Sequence, residues 1–253
     1  GAVRPQKMGG AVRRRRLLLA AAVLPALLAL LAVLVLGKVL QPNLLLARRY
    51  PVWGVDVSRY QGTVDWQKMA EQGVGFAFIK ATEGSGTVDG QFEANFRGAA
   101  EAGIPSGAYH FFSFDSAPEA QAEHFIGTVG ALSGRLPPVV DAEYYGGYFA
   151  DPPPKETVRR NLRRLLELLE AEYGAAPILY TTYPFYIRYL RGAFDDVPLW
   201  LRNVYTPPLP GQEWLFWQYT DTARLDGYDG EEPNIDRNVF SGSRQQLQAL
   251  LLP

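Results

Sequence analysis

The chain contains no cysteine, which excludes a disulfide-stapled scaffold and any thiolate metal site. Histidine is scarce, with two in 253 residues. His124 lies on a predicted helix and His110 reads as a buried core histidine, so neither is taken as a metal ligand or a nucleophile. No Gly-rich phosphate loop follows the first strand-like run, which removes the usual nucleotide-binding signature. Acid is absent from the first 50 residues, where nine basic residues fall. Charge of either sign, and even hydroxyl, is absent from residues 17–36, LLLAAAVLPALLALLAVLVL. No internal repeat is evident, nor any low-complexity stretch apart from that run.

The apolar run has the length needed to cross a hydrocarbon core of ~30 Å at ~1.5 Å per residue. A cleaved signal normally has a shorter apolar stretch followed by a small-residue cleavage site, whereas here the run passes into Gly37-Lys38. Residues 1–16 carry Arg4, Lys7 and the block Arg13 to Arg16. Such an excess of positive charge before the span predicts a cytoplasmic tail. The expected organisation is a basic tail (1–16), a single transmembrane anchor (17–36), a linker (37–50) and an outer domain (51–253) in the cytoplasmic membrane. Secretion after signal cleavage is the alternative. The outer domain holds 16 basic residues against 26 acidic ones, a net charge of −10, which argues against nucleic acid as a partner.

Strand-like runs recur through the outer domain, at 52–58, 75–84, 105–114, 136–144, 177–182, 198–205, 214–221 and 234–240. Helical patterns separate the first five. The clearest spans Lys155 to Tyr173, where Val158, Leu162, Leu165, Leu166 and Leu169 form one apolar stripe and Gly174 stops the helix. Ser116 with Glu119 reads as an N-cap box for the helix before it. The last three connections hold little helix. The expected fold is therefore α/β, a TIM-like (β/α) barrel with reduced helices in its last three units. An open doubly wound sheet is the competing architecture.

Polar residues gather where such strands end. Asp56 and Ser58 close the first run, Lys80, Thr82 and Glu83 the second, and Tyr109 lies on the third. Asp141 and Glu143 fall on the fourth, two apart and hence on one face, where like charges resist ionising together. Tyr180 follows on the fifth, Trp217, Gln218 and Tyr219 on the seventh, Asp236 and Asn238 on the eighth. Several carboxyls and aromatic rings around one barrel mouth suit glycoside hydrolysis: acids move protons and stabilise an oxocarbenium-like centre, and rings stack on sugar faces. Blander readings exist for single members. Asp56 could cap the following loop, Asp236 could pair with Arg237 or Arg202, and Glu83 could be a partner of Lys80 as readily as a ligand contact.

The segments VDVSRYQG, FIKATEG, GAYHFF, VVDAE, LYTT, WQYTD and IDRNVF, in this order, resemble the family 25 glycoside hydrolases, the lysozyme-type N-acetylmuramidases. The resemblance runs over about residues 52–240. It implies an eight-stranded barrel with a reduced helical half that cleaves the β-1,4 bond between N-acetylmuramic acid and N-acetylglucosamine in peptidoglycan glycan strands. It further implies Glu143 as general acid and Asp141 as its ionised partner, with Asp56 and Asp236 in the same pocket. Tyr109, Tyr180, Trp217 and Tyr219 match aromatic positions near substrate, and Glu83 is a candidate substrate contact. No cofactor and no metal is implied. The insertion-like YYGGYFADPPPK (144–155) directly after Glu143 is expected to reshape one wall of the groove. The rival readings are a catalytically silent glycan-binding barrel and a chitinase-type glycosidase.

Overall fold

The computed structural model describes the backbone from Gly9 to Pro253, with side chains continuous from Val23. Residues 1–8, and with them Arg4 and Lys7 of the expected cytoplasmic tail, lie outside the described residues. The chain divides into two compact units between Pro42 and Asn43. In the first, helix α1 (Gly9–Leu36) runs through the apolar segment with Pro25 inside it. Among the described residues no helix is long and apolar enough to cross a membrane; the continuously described side chains of α1, Val23 to Leu36, make a stretch of 14. The transmembrane anchor expected over 17–36 is therefore not part of the described fold.

The second unit begins eight residues earlier than the expected boundary at 51. Helix α2 (Pro42–Ala47) is followed by β1 (Trp53–Val57), α3 (Trp66–Glu71), β2 (Ala77–Glu83), β3 (Thr87–Val88) and α4 (Phe92–Glu101). Then come β4 (Ser106–Phe111), α5 (Pro118–Val129), β5 (Val139–Ala142), α6 (Lys155–Tyr173) and β6 (Ile178–Thr182). A short α7 (Tyr183–Phe185) leads to β7 (Leu199–Arg202), β8 (Phe216–Ala223), β9 (Ile235–Phe240) and α8 (Arg244–Gln248). Eight strands close into a ring in the order β1-β2-β4-β5-β6-β7-β8-β9, with β1 pairing both β2 and β9. The remaining strand, β3, is a two-residue arm folded back on β2. A closed barrel, not an open sheet, is the architecture.

One strand runs against expectation. β9 is antiparallel to both β8 and β1. A parallel return needs a crossover of a dozen or more residues, usually a helix, and the connection 224–234 carries none. Asp236, expected at the C-terminal end of its strand, is instead the second residue of β9. Because the strand is reversed, that end opens on the same barrel mouth, and Asp236 lies beside Asp56 in register.

Alternation along each strand sorts the core into two layers. Val55, Val57, Ala77, Ile79, Val140 and Leu179 point outward into the helices, among them the predicted stripe Val158–Leu169 of α6. Phe76, Phe78, Val139, Ile178, Trp200, Phe216 and Phe240 point inward and fill the barrel floor. Two glycines make room for that plug: a Cβ at Gly54 would lie 2.2 Å from the Phe76 carbonyl oxygen, and one at Gly107 2.8 Å from the Phe78 ring. The same inward register, one step nearer the mouth, carries Asp56, Lys80, Tyr109, Asp141, Tyr180, Arg202, Gln218 and Asn238. An aromatic floor thus seals the polar mouth from below.

The later strands lack covering helices, and residues 43–50 supply the cover. The Asn43 side-chain amide donates to the Asn203 carbonyl at 2.9 Å and to that of Tyr219 at 3.3 Å. Ala47 packs with Trp217, Tyr219 and Val239, and the Tyr50 ring meets Trp214 at 5.1 Å. The linker expected over 37–50 thus ends at residue 42, because exposed β8 and β9 offer an apolar face to bury. The N-cap of α5 also differs: it is Ala117, with Pro118 in the first turn. Proline fits that first position because its missing N–H needs no partner there, which displaces Ser116 from the cap.

Candidate active site

Eleven residues from seven barrel strands and their loops line a cavity of about 210 Å³ at the mouth, including Asp56, Lys80, Tyr109, Asp141, Glu143, Tyr180 and Asp236. Asp56, Tyr109 and Asp236 also line an adjoining hollow of about 380 Å³. The four predicted carboxyls are thereby brought to one place. Asp141 and Glu143 enter from β5 and its end. Asp236 enters from β9, four strands round the ring and so opposite, while Asp56 enters from β1 beside it.

The two sides are built differently. On the β1–β9 side, Asp56 Oδ2 accepts from Gln218 Nε2 at 2.9 Å and from Asn238 Nδ2 at 2.7 Å. Gln218 Nε2 also reaches Asp236 Oδ2 at 3.2 Å. Both amides are oriented from behind: the Tyr180 hydroxyl donates to Gln218 Oε1 at 3.0 Å, and Trp200 Nε1 donates to Asn238 Oδ1 at 2.8 Å. Burial and the neighbouring Asp56 charge push the Asp236 carboxyl well above the usual range. Burial raises Asp56 as well, but its amide donors and Arg202 act against this. The hydrogen bond between the two carboxyls raises Asp236 and lowers Asp56.

On the β5 side the carboxyls have few protein partners. Asp141 is buried, and its Oδ1 is among the buried polar atoms that have no hydrogen-bond partner. Burial first, and then the charge of Glu143, lift the Asp141 carboxyl well above its ordinary value. Glu143, less deeply buried, is also raised by burial, with Arg202 and Lys80 pulling the other way. The sequence leads one to expect an ionised Asp141 beside a protonated Glu143; deeper burial instead raises Asp141 more strongly than Glu143. Tyr109 and Tyr180 are held far above the ordinary phenol range by burial and the surrounding acids, so both stay neutral hydrogen-bonding groups.

Other expectations sort by the direction of the side chain. Tyr109 and Tyr180 face the cavity. Trp217 and Tyr219 do not: they flank inward-facing Gln218, so alternation turns both outward under α2, where Trp217 Nε1 donates to the Asn203 carbonyl at 2.9 Å. Glu83 accepts from Lys80 Nζ at 2.7 Å and is not among the residues lining the cavity. Asp56 caps nothing, since Ser58 caps the turn after β1. Asp236 pairs with neither arginine: Arg202 bridges Asp221 at 2.9 Å and the Arg237 guanidinium lies 3.9 Å over the Trp53 ring. His110 is a satisfied core residue, bonded to Thr82 and Gln121 and lowered by burial to about 4.

Arg202 is the charged neighbour of the site that sequence reasoning did not place there. It bears on all four carboxyls, and its inward register two residues after Trp200 was the available signal. The insertion after Glu143 forms a pinned aromatic wall. Asp115 accepts from the Tyr148 hydroxyl and, at 3.1 Å, from that of Tyr145. Tyr145 stacks on Phe114 at 5.1 Å and meets cavity-lining Phe111 at 5.5 Å.

The chain is similar to known proteins. The family model for glycosyl hydrolases family 25 matches residues 55–228. The uncharacterized protein YegX of Escherichia coli O157:H7 is 38% identical over 209 residues, which is 80% of this chain and 74% of that protein. Lysozyme M1 of Streptomyces globisporus is 34% identical over 222 residues, covering 79% and 71% of the two chains. The solved structure of a family 25 glycosyl hydrolase from Bacillus anthracis superposes with a TM-score of 0.76 at 44% identity, over 81% of this chain and 95% of that one. An eight-stranded barrel with acids gathered at one mouth and this breadth of likeness give one assignment: the chain belongs to glycosyl hydrolase family 25.

Proposed function

We propose that this hydrolase is a muramidase that cuts the β-1,4 bond between N-acetylmuramic acid and N-acetylglucosamine in peptidoglycan. The observation that carries the reading is the buried, partnerless Oδ1 of Asp141 next to Glu143 at the carboxyl-rich mouth. An unmet buried acceptor costs roughly 1–3 kcal/mol, a cost removed when a substrate N–H fills it. The 2-acetamido group of an amino sugar supplies such an N–H. Its donation draws negative charge onto Asp141 and leaves the shared proton on Glu143, the more accessible of the two. Glu143 then gives that proton to the glycosidic oxygen as the bond breaks. Asp141 orients the acetamide and balances the positive charge that develops, while Asp56, fixed by Gln218 and Asn238, adds negative potential from across the lumen.

Purified peptidoglycan incubated with the protein should clear, and the products should carry muramic acid at their reducing ends. General acid catalysis is typically worth ~10²–10⁴-fold, so Glu143→Gln should fall by at least about a hundredfold with its melting temperature unchanged. Retention of more than a tenth of the rate removes Glu143 from the acid role. Binding without cleavage would identify a silent barrel. Comparable turnover of N-acetylglucosamine polymers would identify a chitinase-type enzyme.

The sequence supports a membrane-held form of this enzyme. Residues 17–36 supply a span-length apolar run, preceded by basic residues that hold the N-terminus inside, so the barrel lies outside the cytoplasm. Protease added to spheroplasts should digest the barrel and spare an N-terminal tag. A released barrel starting after residue 36 would instead mean a cleaved signal.

A further inference from the structure

A cavity of about 740 Å³, larger than either hollow at the mouth, holds none of the proposed catalytic acids. It lies on the outer wall, between the turn after β6 and the helix-free connection from β7 to β8, and is lined by Tyr183, Tyr186, Leu190 and Trp214 among others. Three stretches meet there. Leu209 N–H donates to the Tyr183 hydroxyl at 2.8 Å, Asn43 bonds the Asn203 carbonyl at 2.9 Å, and Tyr50 meets Trp214.

Those stretches, 43–50, 183–194 and 203–212, contain no aspartate or glutamate, in a domain that holds all 26 acids of the chain. They do contain Arg48, Arg49, Arg188 and Arg191, all exposed. Three acids also line the groove: Asp196, bound to Arg163, Asp195, which accepts the Gly192 N–H, and Glu213. The same stretches carry five of the eight large apolar side chains exposed from Asn43 onward: Leu44, Leu45, Ile187, Tyr205 and Leu209. Leu45, Ile187 and Leu209 are 67%, 58% and 60% exposed. A net-negative domain has thus set leucine, isoleucine and tyrosine among four arginines on one wall, where the acids are Asp195, Asp196 and Glu213.

We propose that this wall docks the barrel on an anionic lipid bilayer. The apolar side chains enter the headgroup boundary and the four arginines meet lipid phosphates, the combination that holds peripheral surfaces on acidic membranes. Charge complementarity and the apolar cluster together favour lipid, independently of the muramidase reading. Docking by this wall lays the barrel on its side, with its mouth opening along the bilayer.

The absence of cysteine makes a clean test. The full chain, carrying Leu209→Cys with an environment-sensitive fluorophore, is reconstituted in phosphatidylglycerol-rich or pure phosphatidylcholine vesicles. Ile187→Cys serves as a second reporter should the first disturb the fold, and Val88→Cys on β3 reports another face. Labels at 209 and 187 should be quenched by spin-labelled lipid in the anionic vesicles, and the label at 88 should not. Each basic side chain near an anionic surface contributes roughly fivefold, so Arg188→Gln with Arg191→Gln should lower the docked-to-free ratio about 25-fold. Equal exposure of all three labels to aqueous iodide in anionic vesicles overturns the proposal. Protection from iodide without quenching by lipid also overturns it, in favour of a protein occupant such as a second copy. Equal quenching in both vesicle types refutes the role given to the arginines. Peptidoglycan turnover by the labelled chains, measured in parallel, reports the enzyme separately.

Discussion

Asp141→Asn isolates the electrostatic coupling on which the acid depends. Residues two apart on a strand lie ~6.6–7 Å apart, and at an effective dielectric of ~20 two unit charges at ~7 Å repel by about 2.4 kcal/mol, or ~1.7 pKa units. That repulsion is mutual, whichever carboxyl holds the proton, and Arg202 and Lys80 oppose it on both. The pair therefore releases two protons in separate steps. The singly protonated pair is the active form, with its lower step setting the acidic limb of the pH–rate profile and its upper step the alkaline limb. An amide at 141 cannot ionise, so Glu143 no longer loses its proton against an existing charge. The alkaline limb should move down by ~1–2 pH units, and the acidic limb set by the pair should vanish. The rate at the optimum should also drop, since the acetamide N–H would face an amide instead of a carboxylate. Release of reducing ends from soluble peptidoglycan fragments, followed across pH, gives both limbs. An alkaline limb at the same pH in wild type and variant refutes the coupling.

Two further outcomes follow from the side-chain directions and the burial of the acids. Tyr219→Phe and Trp217→Phe should leave kcat and KM unchanged because both rings face outward, whereas Gln218→Met, which frees Asp56 and Asp236 from their shared donor, should lower kcat; a rise in KM confined to the two aromatic variants would return them to the groove. Asp236 has a folded pKa well above its unfolded value, so its contribution is fully present below about pH 3.8 and is lost as pH rises toward the folded pKa. Asp236→Asn, whose amide can still donate to Asp56, should flatten urea-derived stability between mildly acidic and neutral pH, and an unchanged slope would show that Asp236 does not hold the proton.

The sequence was legible wherever period and chemistry agreed. The stripe of α6 and its glycine stop are local patterns, and the stripe is buried as the pattern requires. Asp141 and Glu143 share a face because a strand has a period of two. The same period, applied to W-Q-Y at 217–219, places Gln218 inside and both rings outside, whereas aromatic identity alone points the rings to the groove. The reversal of β9 was harder to read, because direction depends on whether a connection folds as a helix or a loop. The role of 43–50 was not readable locally at all. Leu-Leu-Leu-Ala carries no mark that says it will cover β8 and β9, and the need for that cover arises only once the last helices are missing.

The geometry also bears on how the anomeric carbon is attacked. A retaining enzyme with its own nucleophile sets two carboxyls ~5–5.5 Å apart across the bond, and an inverting one ~6.5–9.5 Å apart to admit a water. Asp141 lies on β5 and Glu143 directly follows its last residue, so both reach the cavity from one side and cannot flank a bond between them. Across the lumen, burial and the Asp56 charge hold the Asp236 carboxyl well above its ordinary value, and Asp56 accepts from two amide donors. On the proposed muramidase reading the attacking atom is the substrate's own acetamido oxygen, held by Asp141 through its N–H. Intramolecular attack of this kind reaches effective molarities of ~10⁵–10⁸ M when well oriented. Opening of the resulting ring by water then returns the original configuration. NMR of fresh digests should show the β anomer first, and a thiazoline analogue of the sugar should inhibit. An α anomer as the first product would refute acetamide attack and would make Asp56, released from Gln218 or Asn238, the base that activates water.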